Sequence, residues 1–109
     1  MDYREQFTDE QLTTIIEQGL IYMCACPAQV ADRVRKLRET YRYQRQCMND
    51  PETDTEVHRV IANRVAAAHE ILENCLEEVI ALEKWDRETL QMPSHLRKRQ
   101  AKALLDDGP

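Results

Sequence analysis

Three cysteines are the residues best suited to chemistry in this chain. Cys24 and Cys26 flank a single alanine just before Pro27, and Cys75 lies far along the sequence. If the segments that carry Cys26 and Cys75 form an antiparallel helical hairpin, with its turn near residue 51, residues whose numbers sum to about 103 lie opposite each other. Cys75 then lies beside Ala28, and the three thiols meet at one end of the bundle.

Two kinds of chemistry fit such a cluster. A zinc or iron site would need further ligands, and the reach from Cys75 to His69, about 9 Å along a helix, is poor for completing the set. The chain also lacks the closely spaced ligand pairs of structural zinc sites, so we expect no cofactor. Alternatively, free backbone N–H groups at a helix N-terminus would stabilise a Cys26 thiolate, with Cys24 as the resolving thiol. The simplest interpretation is a joint between helices, with Cys26 as the cap and Pro27 as the first helical residue.

His69 and Glu73 form a second candidate, because they stand four residues apart on one helical face. Carboxylate-bridged di-iron bundles use inward Glu and His side chains, but they need a Glu-x-x-His spacing that this chain does not contain. We therefore expect a half-exposed pair beside the helix seam. The sequence also has no P-loop, Gly-rich dinucleotide turn, Gly-x-Ser-x-Gly elbow or His-Glu-x-x-His segment, which argues against an enzyme of those classes.

Two basic stretches raise the question of nucleic-acid binding. The first, RVRKLRETYRYQR, interleaves arginines with tyrosines that are able to stack on bases. However, residues 49–86 carry three basic and ten acidic groups, a net charge of −7, which would neutralise the basic helix alongside. We expect salt bridges there rather than nucleic acid, for example Arg33–Glu70 and Arg45–Glu56. The second stretch is a C-terminal basic patch made of Arg97, Lys98, Arg99 and Lys102.

Composition favours a single all-helical domain over residues 1–109. The chain has only 2 glycines, which leaves few residues for hairpin turns, while 42% of its residues are hydrophobic and 32% are charged. No apolar run reaches the roughly 20 residues of a membrane span, and the N-terminus is polar and acidic. We therefore expect a cytoplasmic protein with no membrane partner, whose cysteines stay reduced.

The order of caps, apolar repeats and prolines predicts the helices that must position these residues. A Thr-x-x-Gln capping box at Thr8 opens the first helix, and Thr53 to Glu56 form a second box before the third. Pro93 interrupts the chain, after which a weak helix follows. The predicted helices span residues 8–25, 27–47, 56–84 and 94–105.

The third helix has more apolar surface than one partner helix covers. In the second helix, the expected buried stripe is Val30, Val34, Leu37 and Tyr41. In the third, steps of four and three predict a seam at Ile61, Val65, Ala68, Leu72, Cys75, Val79 and Leu82. Further apolar residues widen this seam: Val57, Val60, Ala67, Ile71, Leu76 and Ile80. We expect the first helix to cover part of this surface and a second copy of the chain to cover the rest.

These patterns predict an antiparallel hairpin of the second and third helices with the first helix packed on it, as a three-helix or a dimeric four-helix-type bundle. The favoured function is a non-catalytic, self-associating interaction or regulatory module. Its expected partners are another copy of the chain and, as a further candidate, another protein; the expected interface consists of Ile61, Val65, Ala68, Leu72, Val79 and Leu82. The alternative is a small redox or metal sensor that uses Cys24, Cys26 and Cys75.

Overall fold

The computed structural model describes residues 3–22, 26–52 and 54–93, and these residues form three α-helices. The helices are α1 (Asp9–Tyr22), α2 (Cys26–Met48) and α3 (Thr55–Leu82), and no strand occurs among the described residues. The all-α prediction is confirmed, and each of the three predicted helices is present within a few residues of its expected bounds. The helix predicted at residues 94–105 and the basic patch lie outside the described residues.

The start of α1 confirms the predicted capping box. The Thr8 hydroxyl accepts a hydrogen bond from the Gln11 backbone N–H at 3.0 Å, and the Gln11 side-chain oxygen accepts one from the Thr8 N–H at 2.9 Å. Asp9 and Glu10 occupy the first turn, where the helix dipole favours negative charge. These local interactions fix the point at which the N-terminal segment turns into α1.

The start of α3 differs from its prediction by one residue. Asp54, and not Thr53, is the N-cap, and its carboxylate accepts hydrogen bonds from the backbone N–H groups of Glu56 and Val57. A carboxylate satisfies these donors and also interacts favourably with the positive end of the helix dipole, which a hydroxyl does not do. Thr53 itself lies outside the described residues.

α2 and α3 form the predicted antiparallel hairpin, and α1 packs on α2. Near the turn, the Nδ1 atom of His58 lies 2.6 Å from the side-chain oxygen of Gln44, a pair whose numbers fit the predicted register. At a rise of 1.5 Å per residue, α2 is about 34 Å long and α3 about 42 Å. Because α1 lies against α2, it leaves one side of α3 without a helical neighbour.

A single hydrophobic core lies at the end of the hairpin farthest from its turn. α1 contributes Leu12 and Ile15, and α3 contributes Leu76 and Ile80. The turn-proximal half of α3 instead buries small residues, and these include Ala62 and Ala66. The full set of buried core residues is Phe7, Leu12, Ile15, Ala31, Val34, Leu76, Ile80, Trp85, Leu90 and Met92.

The segment of residues 83–93 closes this core, a role that the sequence did not reveal. Trp85, Leu90 and Met92 are buried, and the Met92 N–H donates to the side-chain oxygen of Gln18 on α1 at 3.1 Å. Lys84 and Leu90 both have a positive φ, at 61° and 57°, in the left-handed region that non-glycine residues rarely adopt. Burial of the Leu90 side chain offsets the cost of this backbone conformation.

The buried stripe of α3 is offset by one residue from the predicted seam. It consists of Ala62, Ala66, His69, Glu73, Leu76 and Ile80, which also follow steps of four and three. The prediction counted apolar residues only. The observed stripe also includes two polar residues, which are buried because they have a hydrogen-bonding partner on α2. On α2, the buried residues are Pro27, Ala31, Val34 and Arg38. Of the predicted α2 stripe, Val34 is buried, and Val30, Leu37 and Tyr41 are half-buried.

The N-cap provides a direct test of the α3 start. We expect Asp54→Ala to lower the free energy of unfolding by about 1 kcal/mol, because two backbone N–H groups lose their acceptor. Asp54→Ser keeps a capping oxygen, so its free energy of unfolding should decrease by only a fraction of this amount. Urea denaturation followed by circular dichroism measures both variants, and equal stability of Asp54→Ala and the wild-type protein would contradict the assignment.

Candidate functional site

The most unusual group in the molecule is the guanidinium of Arg38, which is fully buried at the centre of α2. Its Nε donates to Nε2 of His69 at 2.9 Å, and its Nη1 donates to Oδ1 of Asp9 at 2.9 Å. Its Nη2 donates to the Phe7 carbonyl at 2.6 Å and to Oε2 of Glu73 at 2.8 Å. One side chain therefore joins α2 to α3, to α1 and to the N-terminal segment.

Glu73 is the charge that compensates Arg38. Its side chain is 1% exposed, and its Oε2 also accepts hydrogen bonds from the backbone N–H groups of Gln6 at 2.7 Å and Phe7 at 3.1 Å. A buried carboxylate is stable only when it is paired and hydrogen-bonded in this way. Glu73 thereby fixes two residues of the N-terminal segment directly against α3.

His69 completes the network as a neutral ring. The hydrogen bond donated by Arg38 requires that the Nε2 atom of His69 be an acceptor, so the ring proton resides on Nδ1, which faces Oε1 of Glu73 at 3.6 Å. Burial lowers the pKa of His69 below its usual value of 6.5, and the positive charge of Arg38 lowers it further, against the opposing effect of Glu73. The ring is therefore held in its uncharged form.

An outer layer of N-terminal residues covers this buried network. The Tyr3 ring stacks on Tyr41 with centroids 3.9 Å apart, and its hydroxyl donates to Glu5 at 2.5 Å. Burial raises the pKa of Tyr3, and the neighbouring Glu5 raises it further. Arg42 donates to both Glu5 and Asp9, and the hydrogen bond from Arg38 lowers the pKa of Asp9. The Arg38 guanidinium is thus enclosed on the solvent side as well.

This arrangement has the chemistry of an anchor rather than of a catalytic pocket. The cavity next to Glu73 has a volume of only about 10 Å³, enough for at most one water molecule. Every polar atom of the Arg38 guanidinium and Oε2 of Glu73 is already engaged by protein groups. No substrate has room to approach these residues, so their role is to hold the N-terminal segment on the hairpin.

The prediction of a half-exposed pair at His69 and Glu73 was wrong, since both side chains are 1% exposed. The prediction failed because it did not consider that these polar residues could have a buried partner on another helix. A signal was nevertheless present: Arg38 stands four residues after Val34 and continues the buried stripe of α2. His69 and Glu73 continue the steps of four and three in α3, so spacing alone, without regard to polarity, would have placed all three residues on the buried faces of their helices.

The cysteines do not form a metal centre in the described part of the chain. Cys26 is exposed and Cys75 is half-buried, while Cys24 lies outside the described residues. Within residues 3–22, 26–52 and 54–93, no group of three or more His, Cys, Asp or Glu is placed to hold a metal ion. α2 begins at Cys26, one position before the start at residue 27 that was predicted.

The expected pairings between basic α2 and acidic α3 were also wrong in detail. Arg33 contacts Asp32 of its own helix, and Glu56 pairs with Arg59 of its own helix. Short-range partners within a helix are available without ordering a second long side chain across the groove, so these two charges pair locally. In the part of the chain that the structure describes, the ion pair that connects α2 to α3 is the buried one between Arg38 and Glu73.

The residues predicted as an oligomer interface occupy one flank of α3. Ile61, Val65, Ala68, Leu72 and Val79 are half-buried, with Leu72 packed against the core, while Leu82 is 81% exposed. Other exposed apolar side chains of α3 lie further round the helix, where Ile71 is 68% and Val60 is 49% exposed. Beside Val60 and Ala67, an open groove of about 300 Å³ also includes Asn63 and Arg64.

Comparisons with known proteins give no information about function, so any functional conclusion rests on the residues described above. No protein-family model, no curated protein and no solved structure matches this chain. Among the residues described, no helix is long and apolar enough to cross a membrane.

The anchor role of Arg38 predicts a large loss of stability on its removal. We expect Arg38→Met to lower the free energy of unfolding by about 3–5 kcal/mol, because Glu73 is left as an uncompensated buried charge. Arg42→Met is the matched control: Arg42 contacts Glu5 and Asp9 from a half-exposed position, and its loss should cost less than about 1 kcal/mol. Urea denaturation measures both, and losses of equal size would contradict the anchor role.

Because the pKa of His69 is lowered in the folded protein, we predict that the free energy of unfolding decreases as the pH falls. The unfolded chain binds a proton at His69 more readily than the folded protein does, so this contribution is complete above about pH 6.5 and is lost as the pH falls through the folded pKa. The slope from one group is at most about 1.4 kcal/mol per pH unit. Urea denaturation at a series of pH values measures it. In His69→Gln, which keeps an acceptor but does not titrate, the slope should become shallower, and an unchanged slope would contradict the assignment.

Proposed function

We propose that this protein is a non-catalytic helical module that self-associates through the outer face of α3. This face consists of Val60, Arg64, Ala67, Ile71, Cys75, Glu78 and Leu82. The observation that carries the proposal is the exposure of Val60, Ile71 and Leu82 at helical spacing on a helix that already buries its opposite side. A solvent-facing helix side is ordinarily charged or polar.

The two sides of α3 are diametrically opposed. Ile71 stands nine residues from the buried Ala62 and nine from the buried Ile80, which at about 100° per residue places it roughly 180° round the helix from both. The Ile71 side chain therefore gains nothing from the hairpin core. Each Ile, Leu or Val side chain that becomes buried stabilises an assembly by about 1.5–3 kcal/mol. A partner helix that covers the outer face would therefore be bound with a favourable free energy from several such side chains.

The buried polar network supports a role without catalysis. His69 and Glu73 are the side chains of this network that are suited to acid–base chemistry, and both are buried and engaged by Arg38. Their arrangement makes the hairpin and its N-terminal segment one rigid unit. A rigid unit presents the outer face of α3 at a constant position, which lowers the ordering cost of association.

A thiol sensor that uses Cys24, Cys26 and Cys75 is the second candidate, and the exposure of Cys26 favours it. The two functions make different predictions for Cys26→Ser. In the module, this replacement leaves self-association unchanged with or without oxidant. In the sensor, wild-type protein changes its association or helicity after mild peroxide treatment, and Cys26→Ser abolishes that change.

Self-association is tested with two substitutions on the outer face. We expect light scattering to show wild-type protein above the monomer mass at micromolar concentrations, and Ile71→Glu and Leu82→Glu to shift it to the monomer without loss of helicity. Both side chains are exposed in the single chain, so the fold should tolerate the change. Tyr43→Glu is the control, because Tyr43 is a large exposed side chain, at 62%, but lies on α2. A wild-type protein that stays monomeric at all concentrations would contradict the proposal.

A further inference from the structure

We infer that the partner of the outer face is a second copy of this chain, bound antiparallel across a two-fold axis that passes through Ile71. This inference rests on the proposed self-association and adds its geometry. It follows from the order and the chemistry of the outer-face residues, which are complementary about Ile71 when α3 is paired with an antiparallel copy of itself.

The outer face is symmetric about Ile71 in its spacing. Ala67 and Cys75 lie four residues on either side of Ile71, and Arg64 and Glu78 lie seven residues on either side. The outermost pair, Val60 and Leu82, lies eleven residues away in each direction. In an antiparallel pair of helices with its axis at Ile71, each residue meets the partner residue at the same distance on the other side.

The chemistry of the outer face matches this symmetry. Ala67 would face the partner's Cys75, and two small side chains beside Ile71 let the helix axes approach closely. Val60 would face the partner's Leu82, which places large apolar contacts at both ends of a seam about 33 Å long. Opposite-charged pairs form between Arg64 and the partner's Glu78, and the two-fold axis produces this pair twice.

Arg64 and Glu78 are both available for such pairing. Both side chains are exposed, and neither has an ion-pair partner within residues 3–22, 26–52 and 54–93. By contrast, Arg59 pairs with Glu56 and Arg87 pairs with Glu77 within the chain. The two outer-face charges are therefore free to select an orientation. A parallel pair would place Arg64 against its own copy and Glu78 against its own copy, which is repulsive.

Charge-reversal variants distinguish the antiparallel arrangement from the parallel one. In the antiparallel pair, Arg64→Glu alone converts two attractions into two repulsions and should weaken dimerisation roughly tenfold or more, and Glu78→Arg alone should do the same. The double variant with both substitutions restores opposite charges and should return to within about threefold of the wild-type dissociation constant. Sedimentation equilibrium of the full chain measures all four proteins.

The outcomes distinguish this inference from the proposed function. A wild-type dimer whose dissociation constant is unaffected by either single charge reversal overturns the antiparallel arrangement and leaves self-association standing. A wild-type monomer overturns both. A loss in the single variants that the double variant does not recover overturns the Arg64–Glu78 pairing.

An introduced thiol gives a second, independent readout. In Ala67→Cys, the new thiol should form a disulfide with Cys75 of the partner under mild oxidation, giving a covalent dimer whose linked peptides are identified by mass spectrometry. A link within one chain is excluded, because positions eight residues apart on a helix lie about 12 Å from each other. Adding Cys75→Ala should abolish this covalent dimer. A dimer linked through position 67 of both copies would instead show parallel pairing and overturn the inference.

Discussion

A single buried ion pair, between the guanidinium of Arg38 and the carboxylate of Glu73, determines how the rest of this molecule is arranged. Neither charge is tolerable in the interior alone, and neither is fully satisfied by the other. Arg38 therefore recruits His69, Asp9 and the Phe7 carbonyl, and Glu73 recruits the backbone N–H groups of residues 6 and 7. The N-terminal segment is thus held on the hairpin by polar contacts of well-defined geometry.

The same ion pair decides which side of α3 faces inward. Because His69 and Glu73 must meet Arg38, the buried stripe passes through them, and Leu76 and Ile80 follow at the spacing that enters the core. An apolar side chain nine residues from Ala62 is then turned to solvent, which is where Ile71 lies. The exposed apolar face is a consequence of the polar core, and the self-association that we propose is its functional use.

The sequence alone predicted the all-helical hairpin but not the site. Scarce glycine, capping residues and apolar periodicity predicted the three helices that the structure describes. Gln44 and His58 fit the predicted register near the turn, whereas Arg38 meets His69 and Glu73, which lie beyond the position that this register assigns to its partner. Periodicity weighs hydrophobic residues, however, so it assigned the α3 seam one position away from the stripe that contains His69 and Glu73. The core-closing segment of residues 83–93 escaped prediction because its turns use left-handed Lys84 and Leu90 rather than glycine, and only tertiary packing reveals why.

Amide hydrogen exchange at Gln6 and Phe7, followed by NMR, tests directly whether the buried ion pair holds the N-terminal segment on the hairpin. These two N–H groups lie outside every helix, and Oε2 of Glu73 is their acceptor. If the buried ion pair organises the molecule, both amides exchange as slowly as those of the α3 core around Leu76. Exchange at the rate of an unstructured N-terminus would show that the segment is not held by Glu73 and would contradict the account.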